Sequence, residues 1–448
     1  MMTNHLDKLY RLLSQGPQKP RRLLSELGIS QSTLSRLLAK LGPEVVRLGA
    51  ARALQYALRD RHRGVENVTV YRINASGQIQ PLGVLIAVRP EGFVMQQDDG
   101  VGMHSDSLPW WLLDMRPQGF WGRAYAHRHA AALGLPTQIQ HWSDTDALRA
   151  LLLHGHDAVG NLLLGDSARA HFLMQAAPEP IAEADKAARY VYIAEQATQG
   201  DFPVSSAAGE QPKFTAYAHT PVGPRHVLVK FSLAQSNPIT QRWRDLLLAE
   251  HWALTTLREA GINVVQSWVH DHNGQRFLEV ERFDRVGAVG RRGLMSLTAL
   301  DAEFIGKAHQ PWPVLVHELA QQKIVHADAV ESTQALYAFG RLTGNTDMHA
   351  GNLSFLNDNG QPYPLAPAYD MLPMAFQPQS GGGLGSALPP LDFHPSVAAR
   401  VWHRILPVAQ RYLDKLRSEQ RFSADFAPCV QALTAQLEQA SQRIALLG

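Results

Sequence analysis

Hydrophobic positions in the middle of the chain follow two different periods, which predict strands and helices in alternation. In the segment RHVLVKFSL, Val227, Val229 and Phe231 alternate with polar or smaller residues, as in a half-buried strand. In the next segment, RWRDLLLAEHWALTTLREAGI, apolar residues recur at helical spacing until Gly261, a common helix stop signal. The alternation returns in FLEVERFDR at 277–285, so this region is predicted to fold as strand, helix and strand.

The first 63 residues show another pattern, in which two short amphipathic helices are separated by a turn. PRRLLSELGIS predicts a helix with a Gly-containing turn, and QSTLSRLLAKL predicts a second helix with its leucines on one face. VVRLGAARALQYAL then predicts a short β-wing. This order is typical of a winged helix-turn-helix domain, whose second helix enters the major groove of DNA.

Basic charge is concentrated in the same 63 residues. They hold 12 Lys or Arg and 4 Asp or Glu, a formal charge of +8, whereas the whole chain carries only +2. This segment is therefore expected to bind double-stranded DNA, with an affinity that falls steeply as salt rises. The predicted DNA contacts are Gln31, Ser32, Thr33, Arg36 and Lys40 on the second helix and Arg47 and Arg52 on the wing. The alternative is a basic three-helix cap that docks a protein partner.

Overall composition is typical of a cytoplasmic globular protein. With 448 residues, 45% of them hydrophobic, the chain is long enough to bury roughly two or three cores. MMTNHLDK at the N-terminus is polar and no apolar run approaches the length of a bilayer span, so no membrane partner is expected. The single cysteine, Cys429, excludes an internal disulfide framework and a cysteine-based zinc site.

The segment GNTDMHAGNLSF at 344–355 carries the most informative chemical pattern. It places Asp347 and Asn352 five positions apart, which is the spacing of a kinase catalytic loop. There the carboxylate accepts the proton of a substrate hydroxyl, and the amide oxygen holds a magnesium ion. His349 lies inside this loop and is grouped with the catalytic residues, because it is expected to orient the loop. Asp and Asn are also common in ordinary turns, so the spacing gains weight from the rest of the chain.

Three further charged residues occur in the order that phosphoryl transfer requires. Lys230 lies on the first predicted strand, as a phosphate-binding lysine would, and Glu250 lies on the next helix, where it could position that lysine. Asp370 follows Asn352 by 18 positions and is a candidate second metal ligand. Each residue taken alone is more often a solvated charge. The usual D-F-G and G-x-G-x-x-G motifs are missing, which excludes an ordinary eukaryotic-type kinase.

The segment VSSAAGEQPKF at 204–214 stands where the glycine-rich loop would be, and with it the chain resembles the HipA family of serine/threonine kinase toxins. The resemblance is carried by this loop, Lys230, VERFDR at 280–285, TDMHAGNLS at 346–354 and YDMLP at 369–373. It extends from about residue 65 to the C-terminus, through LPWWLLDMRPQGFWGRAYA and HDAVGNLLLG. It implies the fold class α/β (α+β), with a two-lobed HipA-like protein kinase fold that follows the winged helix-turn-helix domain.

The resemblance also implies a role for individual residues. Asp347 would be the catalytic base, with Asn352 and Asp370 as Mg²⁺ ligands. The residues that would bind ATP are Gly209, Gln211, Lys213, Lys230, Glu250, Glu281 and Phe283. Ser206, with Ser205 beside it, occupies the place of the serine that family members phosphorylate. Phosphate there would add negative charge to the ATP-binding loop and switch the enzyme off; the alternative is a flexible linker.

The predicted organisation has three parts: 1–63 is the winged helix-turn-helix domain, 66–190 a HipA-like N-terminal subdomain and 197–448 the kinase catalytic body. The glycine-rich segment 380–390 is predicted to be a flexible loop. The expected function is a Mg-ATP-dependent serine/threonine protein kinase that acts as a toxin-like growth regulator. By analogy with the family, its protein substrate would be a translation component such as an aminoacyl-tRNA synthetase, and an antitoxin protein is a further expected partner. The alternatives are a DNA-binding transcription regulator with an inactive kinase-like sensor domain and a small-molecule kinase.

Overall fold

The structure is a computed structural model that describes residues 2–65, 67–97, 102–175, 177–198, 211–379 and 381–447. The chain divides into two compact units. One unit comprises 1–117 and 128–176, and the other comprises 118–127 and 177–448. Both units combine helices with antiparallel sheet, so the predicted α+β class is confirmed. No helix in the described part of the chain is both long and apolar enough to cross a membrane.

The first unit begins with three helices and a hairpin. The elements are α1 (Met2–Ser14), α2 (Pro20–Leu27), α3 (Gln31–Leu41), β1 (Val45–Leu48) and β2 (Gln55–Leu58). Helix α2 ends at Gly28, whose φ of +63° is a left-handed cap, and Ser30 caps α3 by accepting a hydrogen bond from the backbone N–H of Thr33. Leucines from the three helices form one core. The elements therefore lie where the hydrophobic pattern predicts two helices and a wing.

The rest of the first unit is a five-stranded antiparallel sheet with helices. In chain order the elements are β3 (Val68–Ile73), β4 (Ile79–Ala87), β5 (Phe93–Gln97), β6 (Gly102–Ser105), α4 (Gly119–Leu133), α5 (Asp144–His154), β7 (Leu162–Leu164) and α6 (Gly165–Met174). The strand order is β6-β5-β4-β3-β7. Helix α4 is shared between the two units along the chain. Val70, Leu85, Phe93 and Leu148 belong to the buried core of this sheet.

The hairpin β1–β2 packs against the five-stranded sheet. Apolar side chains of the hairpin form one buried cluster with side chains of β4, of β5 and of Val88, which follows β4. The members of the cluster are Val46, Leu48, Ala57, Ile86, Val88 and Val94. Arg63 extends this contact, because its guanidinium donates to the carbonyl oxygens of Val88 at 3.0 Å and Glu91 at 2.7 Å. The hairpin is therefore joined to the sheet through a shared core. Arg47, on the opposite side of β1, is exposed.

The second unit opens with a four-stranded antiparallel sheet between helices. Its elements are α7 (Lys186–Thr198), β8 (Lys213–Thr220), β9 (Gly223–Phe231), α8 (Pro238–Glu259), β10 (Ser267–His272) and β11 (Gln275–Glu281), with strand order β10-β11-β9-β8. Tyr190 of α7 packs with Phe214, Val229 and Phe277 on one face. The strand, helix and strand predicted from the hydrophobic pattern correspond to β9, α8 and β11.

Helices dominate the remainder of the second unit. The elements are β12 (Arg285–Val286), β13 (Gly290–Arg291), β14 (Leu294–Ser296), α9 (Leu297–Phe304), α10 (Trp312–Gln321), α11 (Asp328–Thr343), β15 (Ser354–Leu356), α12 (Ala399–Ser418) and α13 (Ala427–Ile444). Strands β14 and β15 pair antiparallel, and β15 lies at the end of the segment that holds the predicted catalytic loop. Cys429 is buried in α13.

Candidate active site

The centre of the candidate site is a buried ion pair between strand β9 and helix α8. Lys230 Nζ donates to both carboxylate oxygens of Glu250, at 2.7 and 2.8 Å. Only 5% of Lys230 and none of Glu250 is exposed to solvent. Burial raises the pKa of Glu250, and the positive charge of Lys230 acts against that rise. The predicted lysine and the predicted positioning glutamate are thus in direct contact.

Asp370 contacts the same lysine from the other side. Lys230 Nζ donates to Asp370 Oδ1, so a single ammonium group joins two carboxylates. Burial alone would raise the pKa of Asp370, but the charges of Lys230 and Lys213 lower it below its ordinary value. Lys213 lies opposite Lys230 in the pairing of β8 with β9. Asp370 is therefore held in its ionised form, as a metal ligand must be.

The predicted catalytic loop begins where helix α11 ends. Gly344 terminates α11 with a φ of +76°, a conformation that glycine adopts without steric cost. Asn352 Nδ2 donates to the carbonyl oxygen of Asp347 at 2.9 Å and lies 3.4 Å from its carboxylate. Because the amide nitrogen faces Asp347, the amide oxygen of Asn352 is the atom left to ligate a cation. The spacing seen in the sequence thus becomes a direct contact.

The Asp347 side chain is half exposed, as a group that must meet a substrate should be. Burial of the remainder raises the pKa of this carboxyl, His349 lowers it, and the charge of Asp370 raises it further. The net direction is upward. A carboxylate of raised basicity is better suited to accept the proton of a hydroxyl group. Since Asp370 acts on the pKa of Asp347, the two acidic groups lie within electrostatic reach of each other.

His349 makes two hydrogen bonds at the predicted catalytic loop, and its orienting role stays a prediction. Its Nδ1 accepts a hydrogen bond from the backbone N–H of Gly351 at 3.0 Å. Its carbonyl oxygen accepts one from Trp312 Nε1 at 2.9 Å. The other ring nitrogen, Nε2, lies 3.9 Å from Asp347 Oδ1, so the imidazole faces the candidate base.

The other predicted nucleotide-site residues are distributed around this centre. Gln211 Nε2 donates to the carbonyl oxygen of Phe231, the residue after Lys230, at 2.7 Å. The ring of Phe283 stacks on Tyr369, with centroids 5.9 Å apart. The carboxylate of Glu281 accepts from Arg225 Nε at 3.1 Å. Contacts of Glu281 and Phe283 with adenine stay a prediction.

Three of the predicted residues, Gly209, Ser205 and Ser206, fall outside the described residues. The predicted DNA contacts all belong to the first unit: Gln31, Ser32, Arg36, Lys40, Arg47 and Arg52 are exposed and Thr33 is half-buried. They share the surface of α3 and of the hairpin, and their DNA contacts stay a prediction.

Two residues of this site were not selected from the sequence. Asn345 is 2% exposed and bonds to both Asp347 and Asp370. Tyr369 donates its hydroxyl proton to the carbonyl oxygen of Gly351 at 3.1 Å and lies 2.7 Å from Ser354 Oγ. The signal for Asn345 is its position two residues before Asp347, where an Asn side chain commonly accepts the backbone N–H. The signal for Tyr369 is its place in YDMLP, directly before Asp370.

The side chains fit a magnesium ion. Mg²⁺ prefers oxygen ligands and is usually held by one or two carboxylates together with substrate phosphates and water. Asp370 and Asn352 supply a carboxylate and an amide oxygen beside the candidate base. Within the described ranges, no three His, Cys, Asp or Glu side chains form a group that could hold a metal ion.

Comparisons with known proteins show that this fold is similar to that of HipA. A chain of the solved complex of HipA, HipB and operator DNA from Shewanella oneidensis MR-1 matches with a TM-score of 0.57 at 17% identity. The match covers 83% of this chain and 97% of the other. A family model described as the HipA-like C-terminal domain matches residues 205–427. The second unit therefore contains a HipA-like domain, and the predicted fold class is confirmed.

Two further comparisons identify the family to which the chain belongs. A model described as the middle domain of YjjJ-like toxins matches residues 65–173. Toxin YjjJ of Escherichia coli strain K12 is 39% identical over 445 residues, which cover 99% of this chain and 100% of that protein. The chain belongs to the YjjJ-like family of toxins, so the family resemblance read from the sequence is confirmed.

Proposed function

We propose that the protein is a Mg-ATP-dependent serine/threonine protein kinase that acts as a toxin-like growth regulator. The observation that carries this proposal is the contact of Lys230 with both Glu250 and Asp370, beside the Asp347–Asn352 pair. Kinases need a lysine fixed by a glutamate, a metal-binding aspartate, and a base five positions before an asparagine. All five side chains occur here on the expected elements.

Each side chain then has a defined task. Asp347, whose pKa is raised, accepts the proton of the substrate hydroxyl, and Asn352 holds the backbone of Asp347 in place. Lys230 donates to phosphate oxygens. The carboxylate of Glu250 holds the ammonium group of Lys230 in position. Asp370 and Asn352 would hold Mg²⁺, which neutralises charge on the β- and γ-phosphates when bound. Ser205 and Ser206 remain the predicted autophosphorylation sites.

The first unit favours a second activity, the binding of double-stranded DNA. Its support is the exposed polar face of α3, which carries Gln31, Ser32 and Arg36, in a segment with a formal charge of +8. The solved complex that this chain resembles contains HipB and operator DNA. We therefore propose DNA and an antitoxin protein as partners. Because ATP and DNA are both found in the cytoplasm, the proposal places the protein there.

A phosphate-transfer assay separates the kinase from a regulator with an inactive kinase-like domain. The purified chain is incubated with cell lysate, Mg²⁺ and ATP labelled at the γ-phosphate, and labelled proteins are identified by mass spectrometry. The proposal expects label on serine or threonine of a protein, and loss of label when EDTA removes Mg²⁺ or when Asp347 is replaced by Asn. By family analogy an aminoacyl-tRNA synthetase is one protein to examine. Label on small molecules alone, or no label at all, would contradict the proposal.

A further inference from the structure

We propose that Asn345 is a positioning residue that fixes the candidate base and the candidate metal ligand relative to each other. Its Oδ1 accepts the backbone N–H of Asp347 at 3.0 Å, and its Nδ2 donates to the carbonyl oxygen of Asp370 at 3.2 Å. One buried amide therefore joins two acidic residues that are far apart in the sequence. The inference rests on the proposed kinase function, since it assigns Asn345 to the geometry of that site.

Asp370 needs such support because of its backbone conformation. Its φ is +53°, in the left-handed region that residues other than glycine seldom adopt. The carbonyl oxygen of Asp370 belongs to the peptide that follows its α-carbon, so a hydrogen bond to that oxygen restrains the turn. With the turn restrained, the carboxylate is directed at Lys230. The same amide thus acts on the orientation of the metal ligand without touching its carboxylate.

Asn345 is itself held firmly at the end of helix α11. Its backbone N–H donates to the carbonyl oxygen of Gly340 at 2.8 Å. The carbonyl oxygen of the preceding Gly344 accepts from the backbone N–H of Ala375 at 3.0 Å, which anchors the segment that follows Asp370. Both bonds are made by the backbone and do not depend on the Asn345 side chain. Replacing that side chain therefore leaves the end of the helix intact.

The chemistry of asparagine explains why this residue type is needed. The amide offers an acceptor and a donor at the same time. An aspartate of nearly equal size keeps the acceptor for Asp347 but, when ionised, has no proton to donate to Asp370. Asn345→Asp thus removes one of the two links and preserves shape. Asn345→Ser, which is shorter, serves as a second variant in case the added charge prevents folding.

A matched control lies two residues away. Thr343 is 3% exposed, and its hydroxyl donates to the carbonyl oxygen of Phe339 within helix α11 at 2.8 Å. Thr343→Val keeps the shape and removes one buried hydrogen bond, as Asn345→Asp does. It touches neither acidic residue. A loss that Asn345→Asp and the uncharged Asn345→Ser share, and that Thr343→Val lacks, therefore reports positioning and not the added charge or the general loss of a buried hydrogen bond.

The experiment measures three quantities for wild type, Asn345→Asp, Asn345→Ser and Thr343→Val. These are kcat for phosphate transfer, the Mg²⁺ concentration for half-maximal rate, and the affinity for ADP with and without Mg²⁺ by calorimetry. Misplacement of reacting groups by about 1 Å can lower a rate by about 10²-fold. We expect a loss of about that size in kcat for Asn345→Asp. Its Mg²⁺ requirement should rise and its Mg-free ADP affinity should stay at the wild-type value.

Each outcome decides the inference. Wild-type kcat and Mg²⁺ requirement in Asn345→Asp would overturn it, as would equal losses in Asn345→Asp and Thr343→Val. If Asn345→Asp does not fold, Asn345→Ser is judged by the same criteria, and failure of both to fold would assign Asn345 a purely structural role. A wild-type chain that transfers no phosphate contradicts the proposed function. In that case the gain in ADP affinity on addition of Mg²⁺ still tests the role of Asn345. If the wild-type chain shows no such gain, the inference about Asn345 is overturned as well.

Discussion

Lys230 and Asp370 are 140 positions apart in the sequence, yet Lys230 Nζ donates directly to Asp370 Oδ1 while it also bonds to Glu250. A buried ammonium between two carboxylates is held more firmly than one in a single pair. The charges of Asp370 and Glu250 raise the pKa of Lys230, although burial acts in the opposite direction. The lysine thus remains a cation throughout the neutral range. Phosphate oxygens would join an existing cationic centre.

The first prediction concerns the candidate base. Asp347→Asn should lower the rate of phosphate transfer by about 10²–10⁴-fold, because the amide cannot accept the substrate proton. Affinity for Mg-ADP should change little, since the side chain is half exposed and Asn has the same shape. Transfer is measured with labelled ATP and affinity by calorimetry. Asp328→Asn, in the exposed first turn of α11, is the control; transfer at the wild-type rate in Asp347→Asn would contradict the assignment.

The second prediction concerns the buried charges. Lys230→Met should lower the free energy of unfolding by about 3–5 kcal/mol at neutral pH, because it leaves the buried carboxylate of Glu250 and the partly buried carboxylate of Asp370 without their cation. Glu250→Gln should cost less, since Lys230 still pairs with Asp370. Urea denaturation followed by tryptophan fluorescence gives both values. As a control, Lys307→Met removes an exposed ion pair with Glu318 and should cost at most about 1 kcal/mol. Equal losses at Lys230 and Lys307 would contradict this account of the site.

The third prediction concerns pH. Burial, together with the charge of Arg421, lowers the pKa of His251 from 6.5 to about 4. Between pH 4 and pH 6.5, His251 is protonated in the unfolded chain more often than in the folded chain. The contribution of neutral His251 to the free energy of unfolding is therefore complete above pH 6.5 and is lost as the pH falls toward 4. The loss is at most about 3–4 kcal/mol, at about 1.4 kcal/mol for each pKa unit.

Replacement of His251 tests this assignment. His251→Gln should lose less stability than wild type when the pH is lowered from 6.5 to 4, and thermal unfolding at several pH values measures the difference. His309→Gln removes an exposed histidine and should leave the pH dependence of wild type unchanged. An identical pH dependence in wild type and His251→Gln would show that His251 makes no contribution.

The sequence predicts those features of the site that depend on residues close together along the chain. Lys230 and Glu250 could be assigned because the strand and the helix that carry them have clear hydrophobic periods. Asp347 and Asn352 could be assigned because they lie only five positions apart in one segment, so their spacing can be read directly from the sequence. Asn345 was missed because half of its role is a bond to the backbone of a residue 25 positions away.

A long-range contact reaches the glycine-rich segment, which the sequence predicts to be a flexible loop. The carbonyl oxygen of Gly385 accepts from the buried guanidinium of Arg242, 143 positions earlier, at 2.9 Å. The same arginine donates to the carbonyl oxygen of Phe376 at 3.0 Å. Composition describes local conformational freedom and gives no information on such a partner. The described part of this segment is thus anchored from α8.

The last prediction concerns DNA binding, and the structure determines how it is tested. Removal of residues 1–63 would take away β1 and β2, whose Val46, Leu48 and Ala57 share a buried cluster with the five-stranded sheet. Loss of binding after such a truncation would therefore be ambiguous. Single substitutions on the exposed surface avoid this problem, because they leave the shared core in place.

Two arginines should respond differently. Arg36→Ala, on the exposed face of α3, should lower affinity for a specific duplex by about 1–3 kcal/mol if this side chain reads a base. Arg47→Ala, on the exposed side of β1, should weaken all duplexes alike and reduce the slope of log affinity against log salt by about 1. Fluorescence anisotropy with one selected and one scrambled duplex at several salt concentrations measures both effects. Arg400→Ala, at an exposed ion pair on α12, is the control for loss of positive charge. If the two variants match this control at every salt concentration, the basic N-terminal segment does not contact DNA through α3 and the hairpin, and the interpretation as a protein-docking cap gains support.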